Sequence, residues 1–258
     1  MSYGFGPTYG TDTNDILSSS VPVATITDRH SIVVYVRGYV KSTGGGAFGR
    51  AVALYNAANE SLVVCYTSGA NIYTFNRGGA TPAAVGTATM APAMPNRFTA
   101  AGASLANLNQ VRVSLNFGIV VTGVNAVTPT FGSVNVFIGG DPMVAGRNWD
   151  GLIDEVAIYI APTVLIGATW DRKWHAGGHA LDALGQDSVL VFYADGQSLV
   201  NRIDSTPLIM SGGKLYTTNP IPYAPTNHFP IRASSTVRSY MDAACGWPQM
   251  ARVADGVR

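Results

Sequence analysis

Apolar and polar positions alternate most clearly between Arg147 and Ile160, in the stretch RNWDGLIDEVAIYI. From Gly151 onward, Leu152, Asp154, Val156, Ile158 and Ile160 fall on one face of a pleated strand; Ile153, Glu155, Ala157 and Tyr159 fall on the other. Apolar residues dominate both sets, which predicts a central strand covered on both faces. Asp154 then sits on an aliphatic face, where a carboxylate must find donors or cost several kcal/mol. Asp150-Gly151 before the strand is turn chemistry.

The same period predicts strands over Ser31 to Val40, Gln110 to Phe117, Ile119 to Val124, Ser133 to Ile138 and Ser188 to Ala194. Arg50 to Asn56 and Ser61 to Thr67 read as a hairpin across Ala57-Ala58-Asn59-Glu60, followed by a short strand at Asn71 to Phe75. Weaker strands lie near Leu208 and Leu215. Residues 1–30 read as an irregular lead-in with one strand at Val21 to Ile26, and Gly78 to Ala106, rich in Ala, Pro and Thr, as a long surface loop. Helix is scarce. Pro162 can open one that runs past Trp170 to Trp174 and stops at Gly177-Gly178, and a second fits Val237 to Cys245. Pro220, Pro222, Pro225 and Pro230 rule out a central strand and hold that segment extended. Its Ile221, Tyr223, Phe229 and Ile231 are too apolar for a free tail, so it reads as an arm laid in a groove. The sum is an all-β chain: a jelly-roll sandwich of two antiparallel sheets over residues 1–160, with a helical and extended Pro-rich appendix, 161–258, packed on it.

Composition sharpens this picture. Charged residues make up 12% of 258 residues, against about 25% in ordinary soluble domains. A surface built from Gly, Ser, Thr, Asn and Ala is weakly protected against association, which suits a chain that sits among neighbours. Arg outnumbers Lys by 13 to 3 and Asp outnumbers Glu by 13 to 2, and Arg tolerates interfaces better than Lys. Net charge is +1, which gives no pull toward nucleic acid or an acidic membrane. The start MSYGFGPTYG lacks the basic and apolar regions of a signal peptide. No apolar run approaches a membrane span of about 18 residues. Cys65 and Cys245 do not make a disulfide framework.

Several motifs together carry a resemblance. The pattern W-D-G-x-I-D-E-V-x-I-Y (Trp149 to Tyr159), preceded by a strand ending in IGG (Val134 to Gly140), resembles the closing strands of laminin G-like domains of the concanavalin A-like superfamily. GPTYGTDTNDIL (Gly6 to Leu17), SIVVYVRGYV, GGGAFGR and the later DSVLVFYADGQSLVNRIDS are similar to a version found in tailed bacteriophages. The match spans about residues 6–232, and the order of the motifs carries it, because each is short and degenerate. It implies a concanavalin A-like sandwich in a non-enzymatic virion structural protein, a capsid decoration or other surface-exposed component made in the host cytoplasm. Its partners would be other virion proteins, copies of itself or capsid neighbours. The alternative is a carbohydrate-binding module for host attachment, on a tail fibre or adhesin.

Candidate chemistry is sparse. Gly44-Gly45-Gly46 to Gly49-Arg50 lacks the Lys-Ser/Thr pair of a phosphate loop and reads as a hairpin turn. His175 and His179 have metal-ligand spacing but are split by two glycines, which favours a helix end. A retaining glycosidase needs two carboxyl groups about 5 Å apart; adjacent Asp154 and Glu155 would point to opposite faces, and the paired-acid pattern of glucanases is absent. No catalytic residues and no cofactor are therefore expected. In domains of the resembling family the acid matching Asp154 either holds a loop or contributes to a Ca²⁺ site, for which Asp141, Asp150 and Asp154 are the acids at hand. Trp149, Asp150, Gly151 and Asp154 are the expected structural set. Trp149, Trp170, Trp174 and Tyr223 are the candidates for glycan or partner contact, aromatic rings being the natural platforms for sugars.

Overall fold

The computed structural model describes residues 2–11, 14–27, 31–40, 49–56, 61–66, 71–78, 81–89, 97–105, 110–115, 121–124, 132–143, 147–161 and 189–216. Along the chain these form β1 (Ser2–Phe5), a one-turn helix α1 (Gly6–Tyr9), β2 (Ile16–Ser19), β3 (Ala24–Ile26), β4 (Ser31–Val40), β5 (Gly49–Tyr55), β6 (Ser61–Tyr66), β7 (Asn71–Gly78) and β8 (Thr81–Thr89). There follow β9 (Arg97–Leu105), β10 (Gln110–Leu115), β11 (Val121–Val124), β12 (Gly132–Ile138), β13 (Gly151–Ala161), β14 (Val189–Ala194), β15 (Leu208–Ser211) and β16 (Lys214–Tyr216).

The strands make two antiparallel sheets. The first runs β11-β10-β9-β4-β13-β1-β16, with β14 also on β13; the second runs β15-β2-β12-β5-β6-β7-β8, with β3 also on β12. Ile32, Val34 and Val36 of β4 and Ile153, Val156 and Ile158 of β13 meet Val134, Val136 and Ile138 of β12 and Val52 and Leu54 of β5 in a common core. Each aliphatic side chain buried there contributes about 1.5–3 kcal/mol. Tyr3, Phe5, Trp149 and Phe192 complete this core.

β13 is central, as its pattern predicts: β4 pairs along one side, and β1 and then β14 along the other. Its far face is buried too, through Leu152, Ala157 and Tyr159. The simple alternation, however, breaks. The ladder to β4 shifts register between Ile153 and Glu155, so Asp154 is the extra residue of a β-bulge. Ile153 and Val156, three apart, therefore both enter the core, and Ile153 does not face away from Val156 as strict period two requires.

Three further expectations change. Gly78 to Ala106 holds two strands, not one loop: β8 pairs with β7, and β9 pairs with β4 and β10. Small residues give little periodic signal, yet their backbones complete ladders as well as larger ones do. The lead-in is also ordered, with β1 in the first sheet and β2 in the second. Finally, the sheets draw strands from both sides of residue 160. β14 lies on β13, β15 extends the second sheet beside β2, and β16 extends the first beside β1. The segment 208–216, with β15 in one sheet and β16 in the other, thus straddles the same edge of the sandwich as the N-terminal segment. The predicted helices and the Pro-rich arm lie outside the described residues.

Candidate functional site

The edge closed by those two straddling segments is held by one carboxylate. Asp15 is fully buried. Its Oδ2 accepts the N–H groups of Gly6 at 3.0 Å and Thr11 at 2.7 Å, and its Oδ1 accepts the Thr11 hydroxyl at 2.7 Å. A Cβ on Gly212 would strike that carboxylate, so the 208–216 turn can approach only as glycine. Asn148 donates to the Asp15 carbonyl at 2.9 Å. The clasp gathers β1, α1, β2 and the β15–β16 turn with the residues leading into β13.

Folding the chain back at Gly6, where φ is +78°, a value glycine adopts freely, lays α1 over the outer face of β1. Gly4 lies beneath it: a Cβ there would meet the Tyr9 carbonyl and the Tyr216 ring. Tyr9, Tyr39 and Tyr216, from three distant segments, then converge. The Tyr9 ring stands edge-on to Tyr39 at 6.1 Å and to Tyr216 at 6.5 Å. The Tyr216 hydroxyl donates to the Tyr9 carbonyl at 3.0 Å. All three rings are partly exposed. Burial raises the Tyr9 pKa, helped by Tyr39, Asp150 and Tyr216.

Asp150 borders this tyrosine corner and is itself partly exposed. A Cβ on Gly6 would lie 2.8 Å from its Oδ1, and that oxygen is buried with no hydrogen-bond partner among the described residues. Rings that can cover C–H surfaces and phenols that donate are among the groups that hold a polyhydroxylated ring.

One residue pair further along β4, on the face of Tyr39, stands Arg37. Its Nη2 lies 3.4 Å from Glu155 Oε2, and the Tyr193 hydroxyl donates to Glu155 Oε1 at 2.9 Å. Burial lowers the Arg37 pKa, but Glu155, Tyr35, Asp154 and Tyr193 together outweigh it and raise the value. Glu155 is thus the acid in contact with Arg37. Glu155 is 1% exposed, out of reach of a substrate.

The remaining predicted residues are dispersed. Asp141 is sealed in a buried pair with Arg50 at 3.2 Å, and also accepts the Tyr55 hydroxyl and the Met143 N–H, each at 2.9 Å. Asp150 is at the tyrosine corner and Asp154 at the bulge. Among the described residues no group of three or more His, Cys, Asp or Glu could hold a metal ion. Trp149 is fully buried in the core; its N–H donates to Gly139 O at 2.9 Å and its indole to Tyr39 O at 3.2 Å. A ring with no exposed face cannot stack on a sugar, so Trp149 is removed from the glycan candidates. Gly151 belongs to the same junction, since a Cβ there would strike the Tyr39 carbonyl. Trp170, Trp174, Tyr223, His175, His179 and Cys245 lie outside the described residues. Sequence reasoning passed over Tyr9, Tyr39, Tyr216, Asp15 and Arg37. Gly6 and Gly10 around Tyr9 were a usable signal of tight approach, whereas nothing local marks Asp15 or Tyr216.

No family model matches the sequence, and no curated protein is similar to it. Solved structures are similar in shape. A heptameric SAP-like pentraxin from Limulus polyphemus superposes with TM-score 0.52 at 8% identity, over 81% of this chain and 93% of the pentraxin. The LG4-5 domains of the mouse laminin alpha1 chain give 0.47 at 12% identity, over 61% of this chain and 41% of that one. The CBM40 of a Ruminococcus gnavus IT-sialidase, bound to alpha2,3 sialyllactose, gives 0.43 at 12% identity, over 64% and 96%. The fold is a concanavalin A-like jelly roll. At these identities the likeness concerns the jelly roll alone, and its chemistry rests on the residues above.

Proposed function

We propose that this protein is a non-catalytic carbohydrate-binding module that takes a glycan at the corner of Tyr9, Tyr39, Tyr216 and Asp150. The convergence of three partly exposed tyrosines with a carboxylate carries the reading. A non-catalytic role is supported by two of the described acids, Glu155 and Asp141, being buried in pairs with Arg37 and Arg50, away from the solvent that acid–base work needs.

A second reading, the virion structural component that the sequence resemblance implies, has its own support. Ile209 on β15 is 56% exposed and Leu215 on β16 is 37% exposed, at the edges of both sheets. Apolar edge strands on a sparsely charged surface suit packing against neighbours. The two readings are compatible in a module displayed on a particle for attachment.

A glycan array followed by calorimetry on wild type, Tyr39→Ala and Tyr216→Ala tests the site. Wild type should bind a defined glycan, each variant should lose about tenfold or more in affinity, and no reducing ends should be released. Binding unchanged in both variants would move the site elsewhere, and turnover of the bound glycan would overturn the non-catalytic reading.

A further inference from the structure

We infer that Asp15 is the positioning residue of the tyrosine corner and sets its affinity for glycan by fixing two of the three rings; the inference rests on the carbohydrate-binding reading above. Asp15 is fully buried, so it acts through other groups. The first is α1, which carries Tyr9. One turn of helix cannot sustain itself in water, and its first N–H groups have no partner within the helix. Phe5 gives α1 no side-chain cap, and one backbone bond, Gly10 N–H to Gly6 O at 2.7 Å, closes the turn. Asp15 supplies the rest. Its Oδ2 takes the Gly6 N–H at the head of α1 and the Thr11 N–H just past its tail, so a single oxygen spans the turn.

The second group is the segment that brings Tyr216. Gly212 lies against the same carboxylate and the Thr11 hydroxyl, and β16 begins two residues later. The Tyr216 hydroxyl then donates to the Tyr9 carbonyl at 3.0 Å, so Tyr216 offers the corner its ring while its proton ties β16 to α1. Tyr39 is placed differently. It stands on the ten-residue β4, paired with β13 on one side and β9 on the other, and owes nothing to the clasp. Loosening Asp15 therefore releases Tyr9 and Tyr216 and leaves Tyr39 where it is. A site whose supporting groups give by about 1 Å loses affinity, because binding must then order the rings that the clasp had held.

Asn201 supplies a matched control: it is also fully buried, and its Oδ1 accepts two backbone N–H groups, of Tyr193 at 3.0 Å and Ile203 at 3.3 Å, on the turn after β14. Titration of a glycan array with the full chain, and calorimetry with lactose and cellohexaose as soluble probes, read the effect below the melting point of every variant. For each glycan that wild type binds, Asp15→Ala should be at least about tenfold weaker. Asp15→Asn, whose amide oxygen can still take both N–H groups, should recover to within about threefold of wild type. Tyr216→Phe keeps the ring and drops the tie; it should cost about threefold alone and little more on top of Asp15→Ala, because both act through α1. Asn201→Ala should bind as wild type does. Should Asp15→Ala fail to fold, Thr11→Val, which removes the hydroxyl bound to Oδ1, carries the same test with a loss of about threefold. Unchanged affinity in Asp15→Ala or Thr11→Val beside a loss in Tyr39→Ala, or an equal loss in Asn201→Ala, overturns the positioning role and leaves the site in place. Wild type binding nothing on the array, or undiminished binding in Tyr39→Ala, overturns the site itself and the positioning role with it.

Discussion

Removing the Asp15 carboxylate should unfasten one edge of the sandwich. The group is fully buried and accepts two backbone N–H groups and one hydroxyl. In Asp15→Ala the Thr11 hydroxyl can turn toward water, but the N–H groups of Gly6 and Thr11 lose an ionised acceptor. Hydrogen bonds of that kind are each worth about 1.5–3 kcal/mol, so a loss of about 3–5 kcal/mol is expected. For a chain of 258 residues, each kcal/mol lowers the melting temperature by about 2–4 °C, which makes a drop of about 10 °C. Asp15→Asn, which retains one acceptor oxygen, should lose roughly half as much. Gly212→Ala supplies a cross-check, because its Cβ would collide with the Asp15 carboxylate at φ +79°. In the Asp15→Ala background the collision with the carboxylate disappears, leaving the 2.9 Å approach to the Thr11 hydroxyl and the backbone strain. The penalty for Gly212→Ala should therefore shrink there, a coupling that a double-mutant cycle in urea measures. An Asp15→Ala protein melting within about 1 °C of wild type would refute the clasp.

The other predictions concern the core polar groups. Asp141→Ala strands Arg50 in the interior and should cost about 3–5 kcal/mol, while Arg50→Met combined with Asp141→Leu should recover most of it; equal denaturation midpoints for the single and double variants would contradict this. Tyr3, raised by burial, keeps its proton in the folded chain past the ordinary phenol value of 10.0. The unfolded chain releases that proton first, so its contribution is intact below about pH 10 and declines as pH climbs above it. Tyr3→Phe should flatten that alkaline slope in urea midpoints, at a cost of about 1 kcal/mol for the lost bond to the Ser198 carbonyl. Asp154→Ala at the β13 bulge should destabilise by about 1–3 kcal/mol. A wild-type melting temperature that falls on chelation, with no response in that variant, would reassign Asp154 to a Ca²⁺ site.

Period-two patterning was enough to mark most strands, because burial of one or both faces imposes it residue by residue. β4, β5, β6, β10, β12, β13 and β14 lie within a few residues of where the alternation predicts, and the double-faced apolar run of β13 foretold its central place. Trp149 and Asp150-Gly151 were legible as a junction, since a large ring beside a glycine turn signals tight packing. What the sequence could not express is which segments meet. β8 and β9 are built from small residues whose pairing depends on partners tens of positions away, and β1, β2, β15 and β16 are short strands stabilised by each other across the length of the chain. The bulge at Asp154 belongs to the ladder with β4 and not to either strand alone, so no period read along β13 could reveal it. The tyrosine corner is the extreme case. Tyr9, Tyr39 and Tyr216 are unremarkable where they stand in the sequence. They become neighbours only because the Asp15 clasp and the glycines at 4, 6 and 212 let three backbones close on one edge.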